Sequence, residues 1–266
     1  MYDRFNRKIN YLRVSVTDRC NLRCRYCMPA EGIKLLSHDD ILSYDEITDF
    51  VRIAVELGID KVRLTGGEPL VRRGLVDLVR MIADIRGIKD FAMTTNGTLL
   101  GEYARSLAEA GLHRVNVSLD TMDPDKYRWI TRGGNLENTL AGIDAAIEAG
   151  LTPVKLNCVV NKSKDEHDAE TVTEYARKRG LEIRYIPKMD LENGEFGVVE
   201  GGEGGHCASC NRLRLTSNGK VKPCLFNDLE YDLRELGATE AIRLAVENKP
   251  ACGTVNRNGQ FYNIGG

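Results

Sequence analysis

Cys20, Cys24 and Cys27 stand in a Cys-x3-Cys-x2-Cys spacing, on the stretch Thr17-Asp18-Arg19-Cys20-Asn21-Leu22-Arg23-Cys24-Arg25-Tyr26-Cys27. Three thiolates on one tight loop can hold three irons of a four-iron cluster and leave the fourth iron open to another ligand. The competing chemistry is a structural zinc loop, which needs a fourth Cys or His. The nearest, His38, lies eleven residues past Cys27, so the spacing favours the cluster. Farther on, Gly66-Gly67-Glu68-Pro69 combines glycines that allow close backbone approach with a carboxylate able to pair with an ammonium group.

A second set follows late in the chain. Cys207, Cys210 and Cys224 form Cys-x2-Cys-x13-Cys, with Arg212-Leu-Arg214-Leu between them reading as a strand and Asn218-Gly219 as a turn. A zinc knuckle and a second iron–sulfur cluster fit this spacing equally, and His206 or Cys252 can supply a fourth ligand to either. The alternation puts Arg212 and Arg214 on one side of the strand, beside the thiols. Cys252, after Lys249-Pro250, reads as a small apolar group at a helix end, and Cys158, inside an apolar strand, as core.

The elements that position these groups alternate. Strand-like runs occur at Leu12–Val16, Lys61–Leu64, Phe91–Thr95, Val115–Leu119, Val154–Val160 and Glu182–Ile186. Helical patterns fill 44–57, 73–86, 101–110, 136–149 and 168–179. Ser43 and Glu46 predict a capping box for the first helix, and Gly58, Gly111, Gly150 and Gly180 predict helix stops. Strand–helix alternation predicts a parallel sheet, and six units predict an α/β fold built as an open, partial (β/α)6 barrel. In such barrels chemistry gathers at the C-terminal strand ends, where the first cysteine loop, Gly66–Glu68, Thr95 and Ser118 fall. The stretch 191–206, with six glycines and four acids, reads as a flexible connector between a barrel of residues 1–190 and a C-terminal region, 207–266.

Bulk properties bound the function. The chain has 266 residues and a formal net charge of −2, with no sign of a nucleic-acid or membrane surface. No run is long enough to span a bilayer, and the start lacks an apolar signal core, so the expected compartment is the cytoplasm. Eight cysteines in a reducing compartment point to metal chemistry rather than disulfides.

The first motif resembles that of the radical S-adenosylmethionine (SAM) enzymes. Within that superfamily the chain is similar to the GTP 3′,8-cyclase family of molybdenum cofactor biosynthesis. The resemblance rests on Asp3-Arg4-Phe5, Leu12–Cys20 through Pro29, Val62–Leu70, Thr94–Gly97, Arg114–Asp120, Ile183–Ile186, Cys207–Thr216 and the terminal Ile264-Gly265-Gly266. It implies two [4Fe–4S] clusters with SAM as cofactors, and GTP as substrate. Cys20, Cys24 and Cys27 are then the first cluster's ligands, and Cys207, Cys210 and Cys224 the second's. SAM would meet Tyr26, Gly66, Gly67, Glu68, Thr95, Ser118 and Met189.

The triphosphate would meet Arg13, Lys61, Arg63, Arg184, Arg212 and Arg214, with Gly265 and Gly266 entering the site. Arg13, Arg212 and Arg214 are counted with the catalytic group. An electron donor such as flavodoxin or ferredoxin, a downstream cyclic pyranopterin-forming enzyme and a homodimer are the implied partners. The family has several tens more residues before the second cysteine motif. A minimal form, a truncated chain and a paralogue acting on another substrate, such as a peptide, all fit that gap. Cys252 as a fourth ligand would close the second cluster's open iron.

Overall fold

The computed structural model describes residues 1–258 and 261–264. Six parallel strands follow the predicted runs: β1 (Tyr11–Ser15), β2 (Lys61–Thr65), β3 (Asp90–Thr95), β4 (Arg114–Ser118), β5 (Lys155–Val160) and β6 (Glu182–Pro187). Three more come from the tail: β7 (Arg212–Leu215), β8 (Lys220–Lys222) and β9 (Tyr231–Asp232). The helices are α1 (Tyr44–Glu56), α2 (Leu75–Ala83), α3 (Leu100–Glu109), α4 (Pro124–Thr131), α5 (Leu136–Glu148), α6 (His167–Arg179), α7 (Leu233–Leu236), α8 (Ala238–Glu247) and α9 (Phe261–Ile264).

The strands form one sheet in the order β6-β5-β4-β3-β2-β1-β7-β8-β9. Its two edges are not joined, so the barrel is open. The Ser43–Glu46 capping box is formed, and α1 buries Ile47, Phe50, Val51 and Ala54 against the sheet. Gly58, Gly111, Gly150 and Gly180 all take positive φ at the predicted helix ends.

The tail does not stand apart from the barrel. β7 pairs in parallel with β1, matching Tyr11 to Arg212 and Arg13 to Arg214, while β8 and β9 continue antiparallel. Leu213, Leu215 and Val221, with Ile242 and Val246 of α8, join the main apolar core. The 191–206 stretch is packed as well. Tyr185 and Glu200 exchange backbone hydrogen bonds, as do Asp190 and Glu195. Gly201 and Gly205 take positive φ where a Cβ would come within 2.4 Å of Ile183 O and 2.2 Å of Gly197 O. The glycines expected to give flexibility therefore allow close backbone contact.

Candidate active site

The first cysteine loop leaves the C-terminal end of β1. Cys27 and Met28 N–H both donate to Cys24 O, making a tight turn. Arg23 and Arg25 N–H donate to Thr131 O and Ile130 O at the end of α4, and Arg132 Nη1 donates to Arg23 O and Met28 O. Sequence reasoning missed α4, although Asp123 caps its N-terminus and Pro124 opens its first turn. All three thiols are half-buried. Burial, with the neighbouring Cys20, pushes the Cys27 thiol up to about 12, and burial raises Cys20 and Cys24 as well. Neutral thiols crowded in this way fit a cationic iron centre, which takes them as thiolates.

Gly66 and Gly67 dock the end of β2 onto this loop. A Cβ on Gly67 would lie 2.3 Å from Arg19 O, and Gly67 and Glu68 N–H donate to Thr17 O and Arg19 O. The glycines thus face the cysteine loop's backbone. Glu68 is buried, accepting from Thr95 Oγ1 at 2.8 Å, Asn96 N–H at 2.7 Å and Leu70 N–H at 3.1 Å. Burial outweighs those bonds and lifts its carboxyl to about 7. Tyr26 donates to Asp120 Oδ2 at 2.9 Å, and burial lifts Asp120 to about 6. Ser118 closes β4 in register with Asn157. Gly265 and Gly266 lie outside the described residues. α9, just before them, touches β1, and burial first, then Asp18 and Cys27, raises the Tyr262 hydroxyl.

The second thiol set is at the other end of the sheet. Cys207 and Cys210 precede β7, which runs parallel to β1. Cys224 follows β8, which runs the opposite way and ends level with the start of β7. At about 3.3 Å per residue, β1 holds the two sets more than ~10 Å apart. The C-terminal strand ends therefore carry the first thiol set and the opposite ends carry the second. Cys210 is pushed up by burial, but Lys249, a backbone hydrogen bond from Arg212 and the two arginines outweigh this and lower it. Cys224, by contrast, is raised, by burial first.

Between the two ends lies a cavity of about 490 Å³, crossed by two rows of side chains. One row runs Arg214–Arg13–Arg63 across β7, β1 and β2, and the other runs Arg212–Tyr11–Lys61. Members of adjacent rows are two residues apart on each strand, so they share a face. Arg63 and Arg212 lie over the Tyr11 ring at 5.3 and 5.7 Å. Burial and mutual repulsion lower Arg214 to about 10, and Arg13 is also lowered, by burial first and Arg214 next. Arg63 and Arg184 are lowered by burial as well, and each keeps a buried Nε with no hydrogen-bond partner among the described residues. Among the described residues, nine Lys and Arg side chains line the cavity against two acids, Asp90 and Glu203, so it is built for an anion.

Three of those nine escaped the sequence reading. Arg114 pairs with Asp90 at 2.6 Å, Lys155 pairs with Glu182, and Lys249 is buried beside the second thiol set. The signal for Arg114 and Lys155 was the period-two alternation on β4 and β5, which aims them at the same face as Arg184. Met189 lines the cavity and packs on the small apolar cluster of Leu191, Leu225, Phe226 and Ile264, which Cys224 also touches. Cys252 is exposed rather than buried, with its Sγ 2.9 Å from that of Cys207. Cys158 is core, as expected.

The radical SAM superfamily model matches residues 14–176, and the Molybdenum Cofactor Synthesis C model matches 154–251. A GTP 3′,8-cyclase of Alkaliphilus oremlandii is 44% identical over 275 aligned residues, covering 88% of this chain and 86% of the relative. The chain belongs to the GTP 3′,8-cyclase family. The family member of Geobacter sulfurreducens is 39% identical over 324 aligned positions, covering all of this chain and 99% of the relative. That length exceeds the 266 residues here, so the relative carries a segment with no counterpart in this chain. Among solved structures, the S-adenosylmethionine-bound SuiB of Streptococcus suis superposes with a TM-score of 0.61 at 16% identity, over 91% of this chain and 64% of its own. That likeness supports the partial-barrel fold. Among the described residues no helix is long and apolar enough to cross a membrane.

Proposed function

We propose that the chain is a radical SAM lyase, a GTP 3′,8-cyclase, which joins the ribose of GTP to guanine C8 in the first step of molybdenum cofactor biosynthesis. The observation that carries this reading is the pair of side-chain rows, five cations and Tyr11, between two thiol sets. A triphosphate needs such a row, and a peptide substrate would have no use for it. When bound, a [4Fe–4S] cluster on Cys20, Cys24 and Cys27 with SAM supplies the 5′-deoxyadenosyl radical that takes a ribose hydrogen, and a second cluster on Cys207, Cys210 and Cys224 supplies an open iron for the purine.

The protein's part is orientation. Gly66 and Gly67 lock the cysteine loop, while Glu68 with Thr95 and Ser118 presents polar groups to the amino-acid end of SAM. Tyr26 and Met189 flank its adenosine. Arg13, Arg63 and Arg214 grip the triphosphate in one plane, with Lys61, Arg184 and Arg212 around it. Arg114 and Lys155, already paired with acids, complete the wall. Burial keeps water from the radical and strengthens each ion pair. Residues 1–190 act as the SAM unit and 207–266 as the substrate-anchoring unit, with 191–206 walling the cavity where relatives carry a longer segment. We place the protein in the cytoplasm, supplied by a flavodoxin- or ferredoxin-like electron donor. Its cyclised nucleotide passes to a cyclic pyranopterin-forming enzyme, and a homodimer is the assembly to test.

The deciding experiment is an anaerobic turnover assay with reconstituted protein, SAM and a strong reductant, comparing GTP, ATP and no nucleotide by mass spectrometry. The expected result is a product isomeric with GTP, appearing with 5′-deoxyadenosine in the GTP reaction alone. Deoxyadenosine formed equally in all three, with GTP untouched, would overturn the substrate. In the Arg212→Met/Arg214→Met double variant, cyclisation is expected to stop while SAM still binds.

A further inference from the structure

Two buried cations bracket the second thiol set through the main chain. Arg7 is 7% exposed, and its Nε is held by the buried Asp3 carboxylate at 2.6 Å. Its Nη1 donates to Cys207 O at 2.7 Å and Ala251 O at 3.0 Å, and its Nη2 to Pro250 O at 2.7 Å. Lys249 is 1% exposed. Its Nζ donates to Arg212 O at 2.7 Å and to Pro223 O at 2.5 Å. Residue 223 immediately precedes Cys224, and residue 212 follows Cys210 by two. Burial is the largest influence on the Lys249 ammonium and lowers it; the neighbouring Cys210 and Cys224 thiols act the opposite way, and Arg7 lowers it further.

Burying an ammonium and a guanidinium is costly unless each is hydrogen-bonded and answered by negative charge. Asp3 answers Arg7. For Lys249 the anions at hand are the thiolates that Cys210 and Cys224 become as ligands. We propose that Arg7 and Lys249 are positioning residues for the second iron–sulfur cluster: together they fix the three segments that carry its ligands, and Lys249 also supplies a buried positive charge beside it. This rests on the reading that Cys207, Cys210 and Cys224 hold a cluster. A cation at that place favours the more reduced, more negative cluster and so raises its potential. It also holds Cys210 and Cys224 together across the β7–β8 hairpin, so the ligands stay in place when iron is absent.

The test uses protein carrying both clusters, without nucleotide, so its outcome is independent of substrate identity. Wild type, Lys249→Met, Lys249→Gln and Arg7→Gln are compared. The readouts are iron per chain, the rate at which a chelator strips the second cluster, and an EPR-monitored reductive titration. Circular dichroism confirms the fold. We expect second-cluster loss at least tenfold faster in Lys249→Met and Arg7→Gln. In Lys249→Met the second cluster's potential shifts downward, while the first cluster's is unchanged. A merely structural lysine would change the stripping rate and leave the potential alone, and that result overturns its electrostatic role. Unchanged stripping and unchanged potential overturn the whole proposal. If Lys249→Met does not fold, Lys249→Gln, which keeps an amide N–H donor for the carbonyls but no charge, is read by the same two criteria. Wild-type protein that binds iron for only one cluster would overturn the underlying reading instead.

Discussion

Cys252 Sγ lies 2.9 Å from Cys207 Sγ, with Cys252 open to solvent. Joining them needs a closure of under one ångström at the sulfurs, to the ~2.05 Å of a disulfide. In metal-free protein, hydrogen peroxide should therefore link Cys207 to Cys252 ahead of any other pair. The reaction releases two waters per peroxide as two thiols become one disulfide. Peptide mapping after alkylation checks this, and Cys252→Ser should leave Cys207 free. A Cys210–Cys224 link appearing first would show that the observed contact does not govern reactivity.

The raised Glu68 carboxyl makes stability depend on pH. Its value moves from 4.5 to about 7, chiefly through burial. The folded chain therefore keeps a proton that the unfolded chain releases. The linked stability is fully present below about 4.5 and is lost as pH rises through about 7. At 1.36 kcal/mol per unit this amounts to about 3 kcal/mol. Asp120, raised to about 6, acts in the same direction. Denaturant unfolding of metal-free protein at pH 5, 6 and 8 should show falling stability, and Glu68→Gln should flatten part of that fall. An unaltered slope in the variant would contradict the assignment.

Arg63 carries a cost that the proposed triphosphate would offset. It is 7% exposed, in register with Arg13, and its Nε is buried without a partner among the described residues. Like charges facing each other across strands destabilise a sheet. Arg63→Met should raise the melting temperature of nucleotide-free protein by a few degrees. It should also weaken GTP binding at least tenfold, as loss of a charge-assisted bond predicts. Scanning calorimetry and equilibrium binding measure the two. A fall in both would mean that Arg63 serves mainly the fold.

Gly67 has no room for a methyl group. Its Cβ would stand 2.3 Å from Arg19 O, a main-chain atom one residue before Cys20. Gly67→Ala should displace the cysteine loop, lower stability by about 1–3 kcal/mol and halve the iron retained after reconstitution, with the loss confined to the first cluster. Iron and sulfide analysis alongside EPR would detect this; full iron loading would contradict it.

Local chemistry was legible in the residues. The six barrel strands, the Ser43–Glu46 cap and the helix stops fall within a residue or two of expectation, because periodicity and capping are properties of neighbours in the chain. What failed was long-range. The parallel pairing of β7 with β1, and with it the placement of Cys207, Cys210 and Cys224 at the opposite strand ends, is a contact across some two hundred residues with no local signature. α4 was passed over because its Asp123-Pro124 start reads equally as a turn. The glycines of 191–206 looked like slack because composition does not say what a bare backbone will press against, here Ile183 O and Gly197 O. Lys249 was hidden for a related reason: a lysine's usual fate is solvent, and only the folded chain shows the carbonyls around it.

The β1–β7 pairing carries one more consequence. Without the tail, β1 would end the sheet with a row of bare amides and carbonyls flanked by Leu12 and Val14, both fully buried in the intact fold. An exposed apolar edge of that kind recruits other strands, from its own copies first. The barrel half made alone should therefore clump rather than persist as a smaller enzyme. The tail that brings the second thiol set to the cavity also keeps the first half from self-association, so neither half is free to be lost or exchanged without the other.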